Sequence, residues 1–127
     1  MLKFLRWIPA LGLMRVIFLV SATPGDELPS YGFWDFLVKK GGHATGYGLL
    51  AVAYWYALGF DLKKGWLAWL LALLYAASDE FHQSFTPGRH PSPEDVLLFD
   101  GGGAALALMA LTVFFKRKAA PAKTELV

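Results

Sequence analysis

Residues 66–77 read WLAWLLALLYAA, and residues 105–115 read ALALMALTVFF. Neither stretch holds a charge. Neither places polar residues at the three- and four-residue spacing that gives a core helix of a soluble bundle its wet face. A helix that is apolar all round needs apolar surroundings on every side, so both stretches point to the bilayer. Composition agrees: apolar residues make up 56% of the 127 residues and charged residues 17%, against roughly 45–50% and about 25% in an average soluble domain. That bias excludes a disordered chain, a collagen-like repeat and a supercharged tail, and no nucleic-acid partner is expected. Cysteine is absent, which excludes disulfides, thiol nucleophiles and thiolate metal sites.

Four apolar stretches, at about 4–22, 42–60, 65–85 and 96–115, are separated by segments rich in charge, proline and turn residues. Crossing the hydrocarbon core takes about 20 helical residues. The second and fourth stretches suffice alone, whereas the third must continue as helix through the polar DEFHQ segment to Phe85. Only helices and closed barrels satisfy the backbone in lipid, and nothing here alternates like a barrel strand. The expected fold is therefore all-α: one domain over residues 1–118, built as a bundle of four transmembrane helices, with a short flexible tail at 119–127.

Lysine and arginine set the orientation. Lys3 and Arg6 precede the first stretch, Lys63 and Lys64 separate the second and third, and Lys116, Arg117, Lys118 and Lys123 follow the fourth. Eight of the twelve cations thus fall on one side, and both termini are expected in the cytoplasm. Lys39, Lys40 and Arg89 lie on the other side, among Asp26, Glu27, Asp35, Glu94 and Asp95. Trp7, Trp34, Trp55 and Trp66 fit interfacial belts. The first stretch also has features of a cleavable signal peptide. Arg15 interrupts its apolar middle, however, and Pro24–Gly25 reads as a turn, so a retained helix is expected.

Nearly all residues capable of chemistry collect on the less basic side. Spacings of three and four put Lys40, His43 and Tyr47 on one helix face, and let Asp79, Glu80 and Gln83 face one groove. The loop TPGRHPSPED, residues 86–95, carries three prolines that stiffen the setting of Arg89. Plainer roles compete for several of these positions. Ser92, Pro93 and Asp95 form an N-capping box, although Asp95 could instead pair with Arg89. Lys39 suits a snorkelling anchor, and His82 and His90 suit solvated loop positions. Gly42, Gly46 and Gly48 fit close helix packing better than a phosphate cradle.

Buried charge demands a partner in a membrane segment. Arg15 lies about 17 Å and Asp79 about 20 Å from the basic side along their helices, and Asp100 lies about one turn from the far end. Arg15 is therefore expected to pair with Asp79 or Asp100. His43, His82 and His90 share a side with Asp79 and Glu80, but no diagnostic ligand spacing such as HExxH occurs, so neither a metal nor a cofactor is expected.

The order Lys40-x-x-His43-x-x-x-Tyr47, then Asp79-Glu80-x-x-Gln83-x-Phe85-x-Pro87-Gly88-Arg89-x-x-Ser92-x-x-Asp95, then a glycine-containing last stretch, resembles the VanZ-like family over about residues 15–115. The resemblance implies a small bacterial multi-pass protein of the inner membrane. The family's namesake is an accessory factor in resistance to the glycopeptide antibiotic teicoplanin. The family pattern places an asparagine four residues after the matched Asp95. Phe99 stands there, with Asp100 next to it, so either the polar group is displaced by one residue or the site differs.

Two functional readings follow. In the first, the protein acts at the extracytoplasmic face on a cell-envelope ligand, an anionic lipid-linked or glycopeptide-related molecule. Lys40 and Arg89, helped by Tyr47 and Gln83, would hold it. His43 with Glu80 and Asp79 would exchange protons if a reaction occurs, which leaves open whether it is an enzyme. In the second, the protein is a non-catalytic structural or partner-binding membrane protein whose polar cluster only locks the helices. A transporter is disfavoured, since nothing polar continues through the other half of the bundle.

Overall fold

The computed structural model describes residues 2–121. Four helices run alternately up and down: α1 (Leu2–Ser21), α2 (Asp35–Ala57), α3 (Gly65–Gln83) and α4 (Pro93–Ala119). No strand occurs among the described residues, so the fold is all-α. Helix α4 includes Ala119, the first residue of the expected tail, and residues 122–127 lie outside the described residues.

Helices α1 and α4 are long and apolar enough to cross a membrane. Their apolar stretches are only 11% and 28% buried within the protein, which separates them from core helices of a soluble domain. The bundle does not cover them.

Helix α2 is the hub and packs against the other three. Its Tyr47, Leu50, Ala51, Tyr54 and Trp55 meet Ala68, Ala72 and Ala76 of α3 and Ala104 and Leu108 of α4. The α3 alanines recur every four residues, so they form one smooth face that lets a neighbouring backbone approach. The tightest approach is between α2 and α4. A Cβ added at Gly48 would lie 3.2 Å from the Gly103 carbonyl oxygen and 3.3 Å from Ala107 Cβ, and one added at Gly103 would overlap the backbone of Ala44.

Helix α3 ends at Gln83, two residues short of Phe85, helix α4 starts at Pro93 rather than at residue 96, and α2 departs from expectation at both ends. Helix α2 starts at Asp35 rather than at residue 42 because residues 35–41, DFLVKKG, are helical despite their three charges, tied by an Asp35–Lys39 ion pair of 2.9 Å. It stops at Ala57 because Gly59 takes a left-handed conformation (φ 82°). The amides of Gly59 and Phe60 then bond the carbonyls of Tyr56 and Trp55, which closes the helix as a Schellman motif.

Trp55 is not an interfacial residue. It is fully buried, packs against Phe60 and Phe115, and donates to the Asp61 carbonyl at 2.8 Å. Trp34 and Trp66 are exposed and Trp7 is half-buried.

The end of the bundle carrying Arg6, Lys63, Lys64 and Lys116–Lys118 is the basic end. The opposite end, formed by the last turns of α1 and α3 and the first turns of α2 and α4, holds the polar cluster.

Candidate functional site

A ladder of polar contacts ties the four helices together at the cluster end. Lys40 of α2 pairs with Asp95 of α4. One turn deeper, His43 Nδ1 lies 3.1 Å from Asp100 Oδ1. Deeper again, the Tyr47 hydroxyl donates to Asp79 Oδ2 at 3.0 Å. Gln83 donates to the same oxygen at 3.1 Å and to the Ser21 hydroxyl at 3.2 Å, which brings in α1. Asp79, Gln83, Asp100 and Ser21 are all buried. Buried polar groups are costly unless bonded, and these rungs bond them across the helices.

A π turn in α4 aligns the first two rungs. Lys40 and His43 stand three apart on α2, but Asp95 and Asp100 stand five apart on α4, a spacing that a regular α-helix does not place on one face. Residues Val96–Asp100 form a π turn, and the Gly101 amide bonds back to Val96. The wider turn accommodates one extra residue and carries Asp100 onto the face of Asp95. Asp100 thereby meets His43, while Phe99 sits against Phe36 and under the Lys40 ammonium, 5.3 Å from ring centre to Nζ.

Arg89 acts on the end of α1. Its Nε donates to the Thr23 carbonyl at 3.0 Å and its Nη2 to the Val20 carbonyl at 2.7 Å. A helix leaves its last carbonyls unpaired, and a cation there complements its dipole. Burial lowers the pKa of the guanidinium, and the negative charge of Asp79 opposes that shift. Beside it, the Gly25 amide donates to the Pro87 carbonyl at 2.9 Å, and Gly25 and Gly88 approach so closely that a Cβ on Gly25 would overlap Gly88. Arg89→Lys keeps the charge but loses the planar fork. We expect it to destabilise the protein by about 1.5–3 kcal/mol, the usual worth of a hydrogen bond to a charged group. Thermal unfolding in detergent measures this, and an unchanged melt would remove Arg89 as a clamp.

Several sequence expectations need correction. Arg15 pairs with neither Asp79 nor Asp100: it is exposed on α1, and those carboxylates are engaged by Tyr47 with Gln83 and by His43. Its helical phase points it away from the bundle. The capping box does not form, since Ser92 makes no side-chain cap bond and Asp95 turns to Lys40 rather than to Arg89. Glu80 and Gln83 line one cavity and Asp79 another, so the three do not share one groove. His82 is half-buried and stacked on Phe18, with ring centres 4.3 Å apart, while His90 is exposed. Among the described residues, no three His, Asp or Glu side chains are close enough to hold a metal ion.

Two cavities flank His43. One, of about 370 Å³, lies between α1 and α2, with exposed Val16, Val20 and Val38 at its mouth and His43, Tyr47 and Asp79 at its back. The other, of about 290 Å³, is more polar and includes Lys40, Glu80, Gln83 and Asp95. Both are lined by Leu28, Lys39, His43 and Arg89. Gly42 and Gly46 line the first, and a Cβ at either would meet nothing within 4 Å. Of the three glycines read as packing residues, Gly48 is one and these two border open space. A glycine inside a helix costs about 1 kcal/mol relative to alanine, and at these two positions close packing does not offset that cost.

Sequence reasoning missed Ser21 and the His43–Asp100 pairing. Ser21 is the only hydroxyl-bearing residue of α1, which was a usable signal. The pairing required the π turn, which has no pattern in the residue order.

No curated protein and no solved structure matches the chain. A family model described as VanZ/LLP1 matches residues 4–116. That match takes in almost all of the four helices and every rung of the ladder from Ser21 to Asp100, and the chain belongs to the VanZ/LLP1 family.

Proposed function

We propose that this protein crosses the bacterial inner membrane four times, with both termini in the cytoplasm, and binds the polar part of a cell-envelope ligand at its extracytoplasmic end. The concentration of cations at the basic end supports this orientation. Helices α2 and α3 have 23 and 19 residues, enough to cross alongside α1 and α4. Exposed Leu11, Val16, Leu19, Leu74, Leu106 and Met109 give the bundle the apolar exterior that lipid requires.

The observation that carries the binding role is the placement of His43. Asp100 holds its Nδ1, and its ring borders both the apolar and the polar cavity. With Nδ1 engaged, Nε2 is the nitrogen available to a ligand. Glu80 borders the polar cavity from α3, and its Oε1 is buried with no hydrogen-bond partner among the described residues. A ligand spanning the two cavities would place its apolar part toward Val16, Val20 and Val38 and its polar part between His43, Glu80 and Arg89.

The ladder itself favours a second reading, in which the cluster serves only to lock the helices. His43→Gln and Glu80→Gln separate the two. Under the binding reading both variants melt within about 1 kcal/mol of the wild type, but lose co-purified lipid or any teicoplanin protection the wild type gives a susceptible bacterium. Under the locking reading His43→Gln, which alters a rung, melts lower, Glu80→Gln leaves lipid retention and protection unchanged, and the wild type carries no selected lipid.

A further inference from the structure

We propose that the ligand is a membrane lipid with a hydroxyl-bearing head, and that it enters sideways from the bilayer through a portal between α1 and α2 whose sill is Gly42 and Gly46. This rests on the binding role proposed above and specifies the ligand's class and route.

The walls of the larger cavity differ from front to back. Val16 and Val20 of α1 and Val38 of α2 stand at the mouth, and all three are exposed. Between these lips α2 presents Gly42 and Gly46, four residues apart and so on one face. A side chain at either would project into the gap rather than against protein. Leu28, Pro29 and Tyr31 roof the cavity at the cluster end. An apolar mouth on the side of a bundle whose exterior is apolar opens toward acyl chains rather than water.

The back wall is polar. Asp79 is 5% exposed and lines the cavity. Its Oδ2 accepts from Tyr47 and Gln83, while its Oδ1 is buried with no partner among the described residues. A buried carboxylate oxygen requires a donor, and a hydroxyl on the ligand's head supplies one. Arg89 uses Nε and Nη2 on the carbonyls of Thr23 and Val20, which leaves further guanidinium N–H groups for a lipid phosphate. The chain of the lipid would trail back over the glycine sill into the membrane.

Native mass spectrometry of the full chain, released from detergent after incubation with defined lipids, tests the portal. The wild type is expected to retain phosphatidylglycerol, which has both phosphate and hydroxyls. Phosphatidic acid of the same chains lacks the hydroxyl and is expected to be held about fivefold less well. Gly42→Leu and Gly46→Leu are expected to retain about tenfold less phosphatidylglycerol. Gly41→Leu, on the same helix but outside the cavity, is expected to behave as the wild type. Val20→Trp narrows the mouth from the other helix and is expected to match the sill variants, which keeps the test sound if a sill variant fails to fold. Glycerol 1-phosphate, a soluble head with no chain, is expected to protect the wild type, Gly42→Leu and Val20→Trp equally against thermal unfolding. Folded portal variants that retain phosphatidylglycerol at the wild-type level would overturn lateral entry while leaving the binding role intact. Equal retention of phosphatidic acid would overturn the assignment of Asp79 to a hydroxyl. If the wild type retains neither lipid but is protected by glycerol 1-phosphate, the portal fails alone; if nothing binds, the binding role fails with it.

Discussion

Gly103→Ala is expected to destabilise the bundle by about 3 kcal/mol, the upper end of what overpacking costs. The added methyl would fall on the backbone of Ala44, against its Cα, carbonyl carbon and oxygen. A flexible side chain could swing aside, but a helix backbone cannot, so α2 and α4 would have to separate. That separation would also loosen Gly48 from Ala107 and pull Asp95 and Asp100 away from Lys40 and His43, which adds lost polar contacts to lost packing. Gly102→Ala is the matched control. It changes the same residue type one position away, where a Cβ meets nothing within 4 Å, and a gain of up to about 1 kcal/mol from better helix propensity is expected. Thermal unfolding of the two purified variants in one detergent gives the comparison. Equal melting temperatures would show that the α2–α4 approach is not the anchor of the fold.

The same contrast shows what could be read from residue order. The four helices were legible because runs such as residues 66–77 carry no charge and must be surrounded by apolar groups. The end at which chemistry collects was legible too, since Lys40, His43, Tyr47, Asp79, Gln83 and Asp95 all lie there. Their pairing was not. Gly42, Gly46 and Gly48 look alike in sequence, yet one lies against Gly103 and two border open space. Trp55 stands near a helix end, as an interfacial residue should, and only packing against Phe60 and Phe115 reveals it as core. Arg15 has the right depth to meet Asp79 but the wrong phase: four residues before and after it, Leu11 and Leu19 are also exposed. Depth follows from counting residues, whereas rotation about the helix axis depends on which face the neighbours cover.

Rotation is also why a one-residue deletion should have opposite consequences at two points of α4. Removing Leu98 is expected to leave the bundle folded, and removing Leu106 is expected to prevent folding. Both side chains are exposed, at 68% and 70%, so neither deletion forfeits a core contact of its own. Leu98 lies inside the π turn Val96–Asp100. Without it the turn can close as ordinary α-helix, which leaves the two aspartates four apart and still on one face. Asp95 keeps Lys40, Asp100 keeps His43, and everything from Gly101 onward retains its orientation toward α2. Leu106 lies in regular helix, where each residue advances the chain by about 100°. Its removal turns the rest of α4 by that angle relative to Gly103, so Leu108 leaves the core and Phe115 leaves Trp55 and Phe60. Expression level and monodispersity in detergent, followed by thermal unfolding, measure both outcomes, with the Leu98 deletion expected within about 1 kcal/mol of the wild type. A Leu98 deletion that fails as completely as the Leu106 deletion would mean the π turn is required for the fold itself, and not only for setting Asp100 beneath Asp95.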